Sequence, residues 1–296
     1  LIVIAALLAT SYLVQEQWTK APAEVTPYVI RLRLSGTIAY EQATWFLGAF
    51  INPDSVMPVL NDIKRDSKAR AVIIEINSAG GTVTASESLY RAVKELAANK
   101  TIIAYIKETG ASGAYMMVLP AKRIVAEPNS LTGSIGVIMT LEIYKRLYEK
   151  LGIDAYVFKS GQSKDVGSPY RDPTEEDEEI LRGIVDLAFE SFKQRVLEHR
   201  KLVSQEVFDG RPYAGSRAVE VGLIDEVGNF ERAYELAIQF AELPEGTPIR
   251  EITVGGIGLF DMLGLSDRAT LSHSQFQLLA IWPPPLDRSM LSKDLP

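Results

Sequence analysis

Ser112 is the residue of this chain best placed to do chemistry. It sits in Thr109-Gly-Ala-Ser-Gly-Ala-Tyr115, shortly after an apolar run, Thr101-Ile-Ile-Ala-Tyr-Ile106, that reads as a buried strand. Gly110 and Gly113 allow a sharp turn and a close approach of backbone to ligand. Ala114-Tyr-Met-Met-Val-Leu119 then continues as an apolar helix. A hydroxyl on a strand-to-helix turn is where α/β enzymes expose a nucleophile, and free N–H groups at the helix start can hold an oxyanion. Such a serine needs a base. The chain has two histidines and no cysteine. His199 closes a charged helical pattern, Glu198-His-Arg-Lys201, and reads as a solvated cation at a helix C-terminus. His273 lies in a polar stretch of the tail. Neither accompanies an orienting acid at a turn, which disfavours a Ser-His-Asp triad and leaves a lysine or a carboxylate as the base. The lack of cysteine excludes thiol catalysis, disulfides and cysteine-ligated zinc; no metal or other cofactor is expected.

The elements that would position Ser112 follow an alternating pattern from Val25 to about Phe240. Tyr28–Leu34 alternates like a strand, and 55–68 has helical spacing through Val56, Leu60 and Ile63. Ala71–Ile76 is a nearly continuous apolar run, as in a strand covered on both faces. Thr84-Ala-Ser-Glu87 reads as a capping box opening a helix with Leu89, Val93 and Leu96 on one face. Short strands are predicted at Arg123–Ala126, Ile135–Ile138 and Asp154–Phe158, with a helix from Leu141 to Lys150 that stops at Gly152. Repeated β-α units imply an α/β fold with a mainly parallel sheet. Two further turns are small and polar: Asn77-Ser-Ala-Gly-Gly81, whose paired glycines suit either an oxyanion hole or a plain β-α turn, and Leu131-Thr-Gly-Ser-Ile-Gly136.

Composition narrows the partners. The 296 residues, 47% hydrophobic and 23% charged, suit an ordinary globular core with appendages. A net charge of −7 without a basic stripe argues against nucleic acid. Leu1–Val14 is uncharged and apolar, and Trp18 and Lys20 follow where interfacial residues would sit. The stretch is slightly short for a span of about 20 residues. Because Leu1 rather than Met opens the chain, upstream residues are expected to complete it. A membrane anchor over 1–22 is the favoured reading; a cleaved signal peptide ending near Ala21-Pro-Ala23 and a buried core helix are the competing ones. Residues 23–245 then form the catalytic domain. The rest, 246–296, is a mixed apolar tail of unassigned role.

Taken together the turns carry a resemblance. Asn77-Ser-Ala-Gly-Gly-Thr-Val-Thr-Ala-Ser-Glu87, Ala111-Ser-Gly-Ala-Tyr115 and Leu131-Thr-Gly-Ser-Ile-Gly-Val137 resemble the signal peptide peptidase A family, serine proteases of the Clp protease/crotonase fold with repeated β-β-α units. Lys159–Asp165 with Ser168-Pro-Tyr-Arg171, Asp209-Gly-Arg-Pro-Tyr213 and Val221-Gly-Leu-Ile-Asp-Glu226 agree, so the match spans roughly Tyr28 to Phe240. Ala79 departs from the family's usual proline, and Ala114 from a frequent glycine.

The resemblance implies a Ser-Lys dyad, with Ser112 as nucleophile and Lys164 as general base. It also implies an oxyanion hole from the N–H groups of Gly81 and Gly113, and Ser134 as the residue that orients the lysine. A free lysine titrates near ~10.4 and a useful base near ~7–8, so activation costs roughly 4 kcal/mol, supplied by exclusion of water. By its local sequence alone, Lys164 reads as a surface lysine. The expected protein is a single-pass serine endopeptidase of the cell membrane with its catalytic domain outside the cytoplasm. It would cut hydrophobic peptides such as signal-peptide remnants, and form a homo-oligomeric ring whose sites are shared between subunits. Two alternatives stand beside it: a related anchored Ser-Lys protease acting on a stomatin-type membrane partner, and a crotonase-like acyl-CoA enzyme using carboxylates.

Overall fold

Strands and helices alternate along the chain in the computed structural model, which describes residues 26–40, 49–201 and 203–254. The first half runs β1 (Tyr28–Ser35), β2 (Thr37–Ile38), β3 (Phe50–Ile51), α1 (Pro53–Arg65), β4 (Ala69–Ser78), α2 (Val83–Ala97), β5 (Thr101–Ala111) and α3 (Gly113–Val118). The second half runs β6 (Arg123–Ala126), β7 (Leu131–Gly133), α4 (Lys145–Leu151), α5 (Glu175–His199), β8 (Pro212–Ala214), α6 (Gly215–Glu220), β9 (Glu226–Val227), α7 (Phe230–Ala241) and β10 (Ile249–Val254). Short 3-10 turns lie at Gln162–Asp165 and Gln205–Asp209.

The main sheet has the order β10-β1-β4-β5-β6-β9, with every neighbouring pair parallel. β7 runs parallel beside the end of β5, and β8 returns antiparallel on β7. The mainly parallel α/β fold expected from the sequence is therefore present.

The apolar run of β4 follows from its central place. Val72, Ile74 and Ile76 pack in one core with Val56, Leu60 and Leu89 from α1 and α2. Ala71 and Ile73 pack in another with Ala233, Leu236 and Ala237 of α7. Each fully buried isoleucine contributes roughly 1.5–3 kcal/mol, so the strand is fixed from both sides.

Several boundaries differ from the sequence reading. α2 begins at Val83 behind Thr82, which makes no side-chain cap, so the box expected from Thr84 to Glu87 does not form. Glu87 instead accepts a hydrogen bond from Arg195 Nη2 at 3.0 Å, an ion pair across to α5. α4 starts at Lys145, later than Leu141, and ends where Gly152 turns with φ +68°. Ile135–Ile138 and Asp154–Phe158 are not strands. The second segment has strand-like side chains but no partner strand among the described residues, and Tyr156 and Phe158 stand 81% and 96% exposed.

β10 pairs with β1 along its length, so the sheet includes Ile249–Val254. The expected anchor over 1–22, His273 and the tail beyond Val254 lie outside the described residues. Among the described residues, no helix is long and apolar enough to cross a membrane.

Candidate active site

β5 delivers Ser112 to the start of α3 in a strained backbone, with φ 52° and ψ −126°. Such a conformation costs a non-glycine residue on the order of 1–3 kcal/mol and persists only where its surroundings enforce it. Here they do. Ser112 N–H donates to Gly133 O at 2.8 Å, Met116 N–H donates to Ser112 O at 3.0 Å, and α3 is buried from Gly113 to Val118. Behind the turn, Gly80 has φ +102°, and a Cβ there would lie 2.9 Å from Ser112 Cβ and 2.8 Å from Gly113 N. Buried hydrogen bonds brace the three turns: Gly80 N–H donates to Ser78 Oγ at 3.1 Å, and Thr132 Oγ1 donates to Gly110 O at 2.8 Å. Tyr115 OH donates to Leu223 O at 2.6 Å and ties α3 to the Val221–Glu226 segment.

Gly81 and Gly113 are glycines because nothing larger fits. A Cβ on Gly81 would lie 1.9 Å from Ile38 O, and one on Gly113 would lie 2.0 Å from Ser86 Oγ and 3.6 Å from Gly81 N. The two glycines thus sit against each other beside Ser112. Neither N–H has an acceptor among the described residues, which leaves two donors free to meet a developing negative charge.

Ser134 follows directly on β7. Ala111 pairs with Gly133, so the register places Ser134 alongside Ser112. Ser134 also has positive φ, at 49°, and its N–H donates to Arg211 O at 3.1 Å. Ser112, Gly81, Gly113 and Ser134 are therefore gathered at one end of the parallel sheet, where the β-α turns cluster.

Lys164 is placed differently. It lies on the exposed 3-10 turn Gln162–Asp165, and no hydrogen bond or ion pair of its ammonium is present among the described residues. The turn itself is firmly held. Arg171 donates from Nε and Nη2 to Asp165 at 2.9 and 3.0 Å and also pairs with Asp177, while Lys159 Nζ donates to Asp165 at 2.7 Å. Asp177 is in turn fixed by a capping box with Thr174 at the start of α5. The Arg171 guanidinium, then Lys159, holds the Asp165 carboxyl well below the usual carboxylate range. Arg171 does the same to Asp177, helped by the Thr174 N–H. The sequence around Arg171 does not by itself point to this work. The signal that could have revealed it is Thr174-Glu-Glu-Asp177, a capping box following directly on Arg171-Asp-Pro.

His199 is not the solvated cation expected. Its Nε2 lies 3.0 Å from Tyr90 OH, which also donates to Glu198 at 3.1 Å, and burial pushes its pKa down. This cluster joins α2 to α5, on residues distinct from those gathered around Ser112. Among the described residues, no group of side chains could hold a metal ion.

Comparison with known proteins identifies the family. The family described as Peptidase family S49 matches residues 94–243. A Methanocaldococcus jannaschii protein named "Putative protease MJ0651" is 43% identical over 188 residues, covering 62% of this chain and 60% of its own. An Enterococcus faecium protein named "Putative signal peptide peptidase SppA" is 33% identical over 229 residues, covering 75% and 66% respectively. The chain thus spans under two thirds of the length of these two relatives. Among solved structures, the 1510-N membrane-bound stomatin-specific protease superposes with a TM-score of 0.50 at 13% identity, covering 77% of this chain and 98% of that one, a likeness of fold alone. With half of its residues matched by the family, the chain belongs to peptidase family S49.

Proposed function

We propose that this protein is a membrane-anchored serine endopeptidase that cuts hydrophobic peptides, including signal-peptide remnants, with Ser112 and Lys164. The observation that carries the reading is the strained Ser112 turn set beside two unpaired glycine N–H groups. Ser112 Oγ attacks the peptide carbonyl carbon while its proton passes to Lys164 Nζ. The carbonyl electron pair moves onto oxygen, and the Gly81 and Gly113 N–H groups hold the oxyanion. Collapse expels the amine, which takes the proton from Lys164. Water, deprotonated by the same lysine, then attacks the acyl carbonyl, and Ser112 Oγ leaves, taking the proton back from Lys164.

Lys164 on its own chain stands in water, whereas a lysine base has to be taken out of it. The cover comes from a second copy of this chain. Beside the Lys164 turn the chain leaves Tyr156, Val157 and Phe158 exposed, and the first half of α5 leaves a stripe of Ile180, Ile184 and Leu187. Spacing of four and three residues puts that stripe on one helix face, as for a surface built to be covered. The assembly is a ring in which neighbours complete each other's sites. The membrane-side location rests on the apolar N-terminal stretch and on the relative named as a signal peptide peptidase. A digestion assay with a synthetic signal peptide tests the reading. The parent protein cleaves it and Ser112→Ala does not; equal turnover by both would overturn the assignment.

A further inference from the structure

Ile38, on the short strand β2, forms a parallel bridge with Gly81. Its N–H donates to Gly80 O at 2.9 Å, and its C=O accepts from Thr82 N–H at 2.8 Å. The two bonds straddle Gly81. In a parallel ladder the residue between such bonds turns its own N–H and C=O to the opposite edge of its strand. Gly81 is exposed, and its N–H is one of the two left without an acceptor beside Ser112. The fit is close: a Cβ on Gly81 would lie 1.9 Å from Ile38 O, so the bridge admits no side chain there.

β2 is itself fixed. Thr37 N–H donates to Ala49 O at 3.1 Å and Ala39 N–H to Ile51 O at 3.3 Å, so the residues on either side of Ile38 are bound to β3. The Ile38 side chain is fully buried, in one core with Ile51, Val56, Ala85 and Leu89. Further along, Tyr40 O accepts from Asn52 Nδ2 at 2.9 Å, and Asn52 caps α1. Tyr40 OH donates to Ser88 Oγ of α2, also at 2.9 Å. Through β2 the Gly81 turn is thus tied to the start of α1 and to α2.

We propose that Ile38 is a positioning residue of the oxyanion hole: its two backbone bonds hold the Gly81 N–H aimed at the space beside Gly113 and Ser112. The proposal rests on the Ser112 protease reading. Ile38 is buried and acts through Gly81, so the steps of the reaction are unchanged. A donor serves a developing oxyanion when its direction is set beforehand, because hydrogen bonds weaken steeply with misalignment. The charge on the carbonyl oxygen is small in the bound peptide and full in the tetrahedral intermediate. Misaiming the donor therefore acts on kcat more than on KM.

The test removes each bond in turn from the full chain. Thr82 has φ −67° and ψ 143°, is exposed and makes no side-chain cap, so Thr82→Pro chiefly deletes the N–H that Ile38 O receives. Val83→Pro is the control: the first position of α2 tolerates proline, the extended Thr82 before it suits one, and both Ile38 bonds are kept. Placing the α-hydroxy analogue of isoleucine at position 38 turns its amide into an ester. That deletes the other bond, to Gly80 O, and keeps every side chain. Each protein is assayed with a hydrophobic peptide substrate and with the matching peptide aldehyde, which adds to Ser112 and places a hemiacetal oxygen in the hole. Losing a donor outright lowers kcat by roughly 10²–10³-fold, and a misaimed donor keeps part of its effect, so a fall of roughly 10–100-fold is expected for Thr82→Pro and for the ester. KM should stay within about twofold, and inhibition by the aldehyde should weaken by a factor similar to the fall in kcat. Val83→Pro should match the parent in all three measures. A kcat of the ester protein within twofold of the parent would overturn the proposal. So would a loss in Val83→Pro equal to that in Thr82→Pro, which marks a disturbed helix start, or equal weakening of substrate and aldehyde binding, which marks a packing role. If Thr82→Pro does not fold, the ester protein decides alone. Ser112→Ala separates the two readings. If it stays active, the protease assignment fails and the role of Ile38 with it; if it is dead while the ester protein is fully active, the positioning role alone is wrong.

Discussion

The two halves of the candidate site are built in opposite ways. The nucleophile half, formed by Ser112, Gly81, Gly113 and Ser134, hangs from the ends of packed parallel strands and the buried helix α3. Strain at Ser112 is tolerated there because core packing and backbone hydrogen bonds leave the turn nowhere else to go. The base half, from about residue 137 to the middle of α5, has almost no core. No residue of α4 is buried, and in α5 burial is confined to Asp177, Phe192 and Val196. What holds the Lys164 turn is polar: Arg171 between two carboxylates. The contrast teaches that positioning and environment are separable problems. One chain holds the Ser112 turn by packing, whereas it leaves Lys164 on an exposed turn held by ion pairs.

The largest expected effects come from breaking each half at its reacting atom. Ser112→Ala should lower peptide turnover at least a thousandfold, since deletion of a nucleophile leaves little beyond binding. Its circular dichroism should match the parent, because one small hydroxyl leaves the turn. Lys164→Ala should be comparably inactive. Mixing the two inactive proteins under conditions that exchange subunits then sharpens the comparison. Activity should partly return, because some interfaces pair an intact Ser112 with an intact Lys164. Absence of rescue in demonstrably mixed oligomers would show that each site is completed within one chain.

Next in size is the exposed apolar surface proposed to be covered by a second copy. Phe158→Asp and Leu187→Asp put a charge on exposed apolar positions and remove little from the core. Each is expected to cut activity tenfold or more and to reduce the mass measured by light scattering, with melting of the isolated chain nearly unchanged. An unaltered mass together with full activity would remove these residues from the interface.

The same division explains what the sequence made legible. Ser112 and the glycine turns could be read because their chemistry is local: small residues around one serine, directly after a strand. β4 could be read because a strand covered on both faces needs apolar residues at every position. Asp154–Phe158 misled because a β-like pattern records a preference for a partner strand, and none lies beside it among the described residues. His199 misled because Tyr90, its partner, is distant in sequence. The edge strand β10 lay past the last turn motif, where alternation in six residues is a weak signal. The work of Arg171 as a latch was not legible, because one of its carboxylates, Asp165, lies before it in the chain and the other, Asp177, after it.

A smaller effect is expected from that latch. Arg171→Met removes the guanidinium that bridges Asp165 and Asp177 and leaves two carboxylates facing each other. The lysine turn loses its fixed position while the core is untouched. Turnover is expected to fall roughly 3–30-fold, in line with losing correct placement of one reacting group. Ser112 itself should still react with an aldehyde or fluorophosphonate probe. Loss of probe labelling would mean that the latch supports the nucleophile half too.

The smallest effect concerns the α2–α5 clamp, which supports both halves. Burial lowers the His199 pKa below its ordinary 6.5, opposed by Glu198 and reinforced by Lys94, Arg195 and Arg200. The unfolded chain therefore binds a proton at higher pH than the folded one does. By linkage, stability rises with pH between the folded value and about 6.5, and is lost as pH falls through that window. The neutral ring next to Tyr90 is thus fully stabilising at pH 7.5 and weakened near pH 5.5. His199→Gln removes the titration, so its melting temperature should fall less than the parent's between those two pH values. The difference is expected to be on the order of 1–2 °C for a domain of this size. Carboxylates such as Asp165 and Asp177 titrate far lower and do not enter this window. If parent and variant melt with the same pH slope, His199 is not buried neutral in the folded protein, and the clamp does not depend on its charge.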